Sequence, residues 1–194
     1  MKKLFLSFVF LALITIPSIA QLEKGNWMGG VNGNFSIGGR SSSSRFLTWS
    51  FNPYAMYLVR KNLAIGIEMD NGFTHYKVNY QYGAEAYLQK GTDYRLQLAP
   101  TVRKYFGNGR VRPFVGLSTG LIMEHMRGYS AFDERTTIET GFGYYLAPQA
   151  GVSWWINDKV FLDLKGSYNL IDTYFGSGYH TLDIKIGAGL KIGK

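Results

Sequence analysis

From Leu182 to Ile192 the chain alternates without an error. Leu182, Ile184, Ile186, Ala188, Leu190 and Ile192 fall on one parity, and Asp183, Lys185, Gly187, Gly189 and Lys191 on the other. Successive side chains of an extended strand point to opposite faces, so this stretch is a strand with one apolar side and one polar or minimal side. The pattern recurs along nearly the whole chain. A fold built from it must give every strand two different surroundings, one apolar and one polar.

The N-terminus is the exception. Lys2 and Lys3 precede an uncharged, largely apolar run from Leu4 to Ile16, and Ser18-Ile19-Ala20 supplies small residues before Gln21. This reads as a cleaved secretory signal peptide over 1–20, because its apolar core is too short to span a bilayer as a helix. The remaining 21–194 is expected to be one domain. With no cysteine in the chain, no disulfide, lipid-modified cysteine or thiolate nucleophile is available. The formal charge is +8, or +6 without Lys2 and Lys3. Its cations are dispersed rather than clustered, which argues against nucleic acid and for attraction to anionic head groups.

Eight alternating segments follow: Trp27–Ile37, Leu47–Val59, Leu63–Phe73, Tyr94–Phe106, Val111–Met123, Gly141–Ile156, Val160–Leu170 and Leu182–Ile192. Each is roughly 10 to 16 residues, enough to cross a hydrocarbon layer at a tilt. Their connections alternate in length. Arg60-Lys61-Asn62, Gly107-Asn108-Gly109-Arg110 and Asn157-Asp158-Lys159 are tight turns, whereas about 38–46 (with the Ser41–Ser44 run), 74–92, 125–139 and 171–180 read as long polar loops. Pro53, Pro100 and Pro148, spaced by 47 and 48 residues, mark a weak internal repeat on the strands that descend to the short turns.

These observations predict an all-β fold: an eight-stranded antiparallel up-and-down transmembrane β-barrel with short turns in the periplasm and long loops outside the cell. The apolar face, turned to lipid, ends in aromatics expected at the membrane interfaces: Trp27, Trp49, Tyr57, Tyr94, Phe106, Tyr144, Trp154 and Tyr168. The polar face, turned inward, carries Glu68, Asp70, Arg95, Arg103, Asp163, Lys165, Asp183 and Lys185, which are expected to pair as a structural network filling a narrow lumen. A soluble lipocalin-like carrier alternates as well, with the apolar side turned into a cup. Gly25-Asn26-Trp27 and Thr92-Asp93-Tyr94 resemble its short motifs.

The run Asn52-Pro53-Tyr54-Ala55-Met56-Tyr57-Leu58-Val59-Arg60-Lys61-Asn62-Leu63-Ala64-Ile65-Gly66 resembles a recurring hairpin of the outer-membrane protein β-barrel domain family of Gram-negative bacteria. Arg112-Pro113-Phe114-Val115-Gly116-Leu117 is similar to a later strand of that family. The resemblance implies an eight-stranded barrel, usually without an assigned activity. It departs at Lys191-Ile192-Gly193-Lys194, where such barrels commonly end in an aromatic residue.

No catalytic, cofactor or metal site is expected. His75, His125 and His180 all fall near the loop rim and read as solvated residues. The cluster Glu124, His125 and Ser130 lacks a spacing that would assemble an acyl-transfer triad. The expectation is a monomeric, non-enzymatic outer-membrane protein, structural or surface-interacting through 74–92 and 125–139. Its expected partners are outer-membrane lipid, lipopolysaccharide and the barrel-assembly machinery. The alternatives are a narrow porin-like channel and the soluble carrier.

Overall fold

The computed structural model describes residues 22–41, 44–82, 85–130, 135–173 and 179–193. The signal peptide assigned to 1–20 lies outside the described residues, as does the centre of the Ser41–Ser44 run. Eight strands follow one another: β1 (Trp27–Ser41), β2 (Ser44–Arg60), β3 (Leu63–Tyr82), β4 (Glu85–Tyr105), β5 (Val111–Ser130), β6 (Arg135–Trp155), β7 (Val160–Thr173) and β8 (Tyr179–Ile192). Each pairs antiparallel with the next, and β1 returns to β8 from Trp27↔Ile192 to Gly33↔Ile186, closing the barrel. Closure leaves no free edge along that stretch, which satisfies the backbone without water.

The short turns sit where the sequence places them. Asn62 adopts φ 61° and Gly107 φ 77°, the left-handed region that Asn tolerates and Gly adopts freely.

The long connections differ from the expectation. Every described residue of 74–92 and 125–139 is strand rather than loop: β3 runs on to Tyr82, β4 starts at Glu85, β5 reaches Ser130 and β6 starts at Arg135. Likewise β1 and β2 extend into 38–46, and β7 and β8 into 171–180. The reason is physical. Above an apolar layer both faces of a strand are wet, so the one-sided pattern disappears while the hydrogen-bonded ladder continues.

Exposure decides which way the faces point. Ile184, Ile186 and Leu182 are 64%, 69% and 71% exposed, whereas Arg103, Ser153 and Asp163 are buried. The apolar face is outside and the polar face inside, which corrects the lipocalin alternative. Its motif residue Trp27 stands on the outer wall.

The three prolines now have a structural setting. The β2–β3 ladder pairs Phe51 with Asn71 and Tyr54 with Glu68, skipping Asn52 and Pro53. The β4–β5 ladder skips Ala99 and Pro100, and the β6–β7 ladder skips Ala147 and Pro148. Each time the ladder to the preceding strand runs through the proline, opposite Val31, Ile67 or Leu117. Proline has no N–H to donate, so each repeat unit places the missing donor toward its following strand.

Four inward aromatic rings reach over glycines directly opposite them: Tyr54 over Gly30, Tyr76 over Gly91, Phe114 over Gly151 and Phe161 over Gly189. A Cβ at Gly151 would stand 2.5 Å from the Phe114 ring. Such cross-strand covering of glycine fixes register and fills a narrow barrel. Gly151→Val should therefore cost about 1–3 kcal/mol by overpacking, read as a lower urea midpoint of the folded barrel.

Candidate functional site

The lumen is layered, and each layer follows from strand parity. At the short-turn end, inward positions carry large apolar groups. Met28, Met56, Leu58, Tyr105, Phe114, Trp155 and Phe161 form one buried cluster with Leu22. Leu22 enters from the segment before β1, which crosses this rim through Asn62 N–H donating to the Leu22 carbonyl at 3.0 Å and Gly25 N–H to Leu58 at 2.9 Å. The Trp155 and Phe161 rings lie 4.6 Å apart, and those of Tyr105 and Phe114 5.5 Å. The plug is not among the sequence expectations, because alternation does not distinguish an apolar inward residue near a turn from an outward one. The inward parity of the same strands was the available signal.

Above the plug stands an ionic layer. The Arg103 guanidinium, fully buried, reaches the Glu68 carboxylate with Nη2 and Asp163 Oδ2 with Nη1 at 3.3 Å. Its plane sits 4.7 Å from the Tyr54 ring centre and 4.9 Å from that of Phe114. Lys165 Nζ donates to Glu68 Oε2 at 3.1 Å. Tyr54 donates to Asp163 at 2.8 Å, and Ser153 Oγ donates to its other oxygen. Gln149 donates to Ser118 at 2.7 Å and Thr101 at 3.1 Å, and Ser118 Oγ donates to Glu68 at 3.2 Å.

A second ionic group lies toward the hairpin rim. Lys185 pairs with Asp70 and lies 3.8 Å from Asp183, and Arg95 is 3.7 Å from Asp183. The structure thus brings all eight charged residues singled out on the inward face into ion pairs with one another. Arg112 belongs with them in position: it is buried beside the plug, donates through Nε to the Gly109 carbonyl at 3.0 Å, and lies 5.4 Å from the Trp155 ring centre. It also sits on the inward parity of β5.

The free space narrows inward. A vestibule of about 740 Å³ opens at the hairpin rim, with Thr48, Asp93, Arg95, Glu124 and Asp183 in its wall. Between the ionic groups, the chamber bounded by Asn52, Asp70, Gln97, Gln149 and Lys165 is about 20 Å³, the scale of a single water molecule. As its side chains stand, that chamber has no room for a solute larger than water.

The outward aromatics form edges to the apolar wall. Trp27 lies against Tyr57 with ring centres 5.2 Å apart, and Phe106 and Trp154 are exposed near the same short-turn rim. Toward the hairpins, Trp49 stacks on Phe73 at 4.4 Å, and Phe73 meets Tyr94 at 4.8 Å. Tyr144 and Tyr168 stand exposed on β6 and β7.

The histidines do not converge. His75 contacts Thr92 at 3.1 Å, His125 contacts Thr140 at 2.8 Å, and the His180 ring packs 5.7 Å from Tyr168. Among the described residues no group of three or more metal-ligating side chains gathers. Glu124 and His125, adjacent in β5, face opposite sides of the wall, one into the vestibule and one outward, so they do not share a site.

The sequence matches no family model and no curated protein. Solved structures resemble it in fold. The outer membrane protein OprG from Pseudomonas aeruginosa is 15% identical, with a TM-score of 0.53 over 89% of this chain and 98% of that one. Ail, the attachment invasion locus protein of Yersinia pestis, is 14% identical, with a TM-score of 0.51 over 87% and 99%. A second structure of Ail holds the heparin analogue sucrose octasulfate (13% identity, TM-score 0.50, 87% and 99% covered). The architecture is therefore that of small outer-membrane β-barrels.

Proposed function

We propose that this chain is an integral, non-enzymatic barrel of the bacterial outer membrane, structural or surface-contacting rather than a conduit. One observation carries the reading: a continuous apolar outer wall edged by aromatics encloses a lumen filled by ion pairs above and an aromatic plug below. The outer wall suits lipid and nothing aqueous. The filled interior suits rigidity, since eight strands leave room for side chains and little else. In this reading Trp27, Trp49, Tyr57, Tyr94, Phe106, Tyr144, Trp154 and Tyr168 sit at the two membrane interfaces, and the eight inward charges are structural. The short turns face the periplasm and the long hairpins stand outside the cell. Export uses the segment 1–20, insertion uses the barrel-assembly machinery, and the barrel is a monomer surrounded by lipid and lipopolysaccharide.

Fractionation tests it. The expressed protein should be recovered in the outer membrane, and the unboiled sample should migrate differently from the boiled one on a denaturing gel. Purified protein in a planar bilayer should be electrically silent. Soluble periplasmic recovery would sink the membrane reading, and stepwise conductance would replace the filled lumen with the channel.

A further inference from the structure

The register of β2–β5 sets charges side by side on the outer wall. Trp49, Phe73 and Tyr94 form one row across three strands. Two residues higher stand Leu47, His75, Thr92 and Arg127. Two higher again, Arg45 lies directly opposite Lys77, Lys77 opposite Lys90, and Lys90 opposite Tyr129. Arg45, Lys77, Lys90 and Arg127 are exposed. Among the described side chains of these strands, no outward position above the aromatic row is acidic, and none of the four cations enters an ion pair. Like charges directly opposite on neighbouring strands repel. Three in a row, with no acidic partner among the described residues, call for an anion from outside.

Height and shape say which anion. Two residues of strand advance about 7 Å along its axis, so at the usual tilt of about 35–45° the cations stand roughly 5–11 Å above the aromatic row. Amphipathic rings mark the level of the membrane interface, which places the cations at head-group level, on the wall that faces lipid. Around Lys90 and Arg127 the wall is dished into a pocket of about 370 Å³ whose rim adds hydroxyls from Thr92, Tyr129 and Thr136. Lys90 Nζ is held 5.4 Å from the Tyr129 ring centre. A polyanion in solution would meet the hairpin tips first, whereas these side chains project sideways above the apolar band.

We infer that Arg45, Lys77, Lys90 and Arg127, with the hydroxyls of Thr92, Tyr129 and Thr136, bind the phosphates of an anionic lipid head group in the surrounding leaflet. The site rests on the outer-membrane reading above. Arginine can grip a phosphate through two N–H groups, lysines neutralise it as point charges, and the hydroxyls donate to the remaining oxygens.

The test uses purified mature protein in dodecyl maltoside, with its fold checked by the boiled and unboiled gel mobilities. Fluorescent bisphosphorylated lipid A is the probe. The wild type should bind it in a salt-sensitive manner. K77Q/K90Q, still showing the mobility shift, should bind roughly tenfold or more weakly, since each cation near an anionic surface contributes severalfold. K77R/K90R should retain binding. Unchanged affinity in K77Q/K90Q, or a folded wild type that does not bind, would overturn the site and leave the barrel reading standing. A soluble sulfated oligosaccharide that competes at lower concentration than lipid A itself would reassign the cations to a glycan and overturn the lipid site. Absence of the mobility shift in the wild type would overturn the barrel reading and the site with it.

Discussion

Arg103→Met should lower the unfolding free energy by about 3–5 kcal/mol, the usual cost of removing one partner from a buried charge pair. The guanidinium joins Glu68 to Asp163 across the lumen, on strands distant in sequence, and is sandwiched between the Tyr54 and Phe114 rings. Methionine fills part of the volume but leaves both carboxylates without that cation. Lys165 still serves Glu68, and Tyr54 and Ser153 still serve Asp163, so the loss is large without abolishing the fold. Urea unfolding of vesicle-inserted protein, followed by tryptophan fluorescence, would measure it. Arg103→Lys should lie between the two, because an ammonium cannot span both carboxylates with a planar fork. Adding Glu68→Gln to Arg103→Met should cost less than the sum of the single changes, with a coupling of about 0.5–3 kcal/mol. A loss under about 1 kcal/mol for Arg103→Met would show that the layer is loosely held and fills the lumen without specifying it.

The legible part of this molecule is its wall. Alternation in Leu182–Ile192 and its seven counterparts suffices to name the strands and the apolar and polar side of each, while the turn residues between them name the short turns. Which side faces outward rests on the aromatics edging the apolar face and the opposite charges on the polar one, because a cup-shaped carrier alternates as well. The inward charges were legible from the same parity. What escaped has a common cause: the period-two signal exists only where the two faces have different surroundings. It fails above the Trp49–Phe73–Tyr94 row, where both faces are wet, so β3–β4 and β5–β6 read as loops although their ladders continue to Tyr82↔Glu85 and Ser130↔Arg135. It also fails to rank residues within the inward face. Leu58, Trp155 and Phe161 occupy the same parity as Asp163 and Lys165, and only depth along the barrel separates an aromatic plug from an ionic layer. In the sequence the inward glycines are only minimal side chains, whereas in the barrel Gly30, Gly151 and Gly189 are seats for the rings opposite them. Which ring covers which glycine depends on register, and register needs two strands at once.

The plug carries the other large expectation. Trp155→Ala and Phe161→Ala should each destabilise the barrel by about 3–5 kcal/mol, since both rings are fully buried and truncation leaves a cavity in the cluster. Their contributions should not add, because the two rings touch each other and share the cluster with Leu22 and Phe114. The electrical consequence separates the two seals. Opening the plug leaves the Arg103–Glu68–Lys165 layer in place above it, with about 20 Å³ free in the chamber beyond. The double variant W155A/F161A should therefore unfold at lower urea yet remain silent in a planar bilayer. Current steps from that variant would locate the only effective seal at the short-turn end and make the charged layer permeable. Steps that appear only when Arg103→Met is added would establish two seals in series, the apolar one closing the short-turn mouth and the ionic one closing the middle. Closure would then be a product of how the inward parity is divided along the barrel, apolar near the turns and charged above.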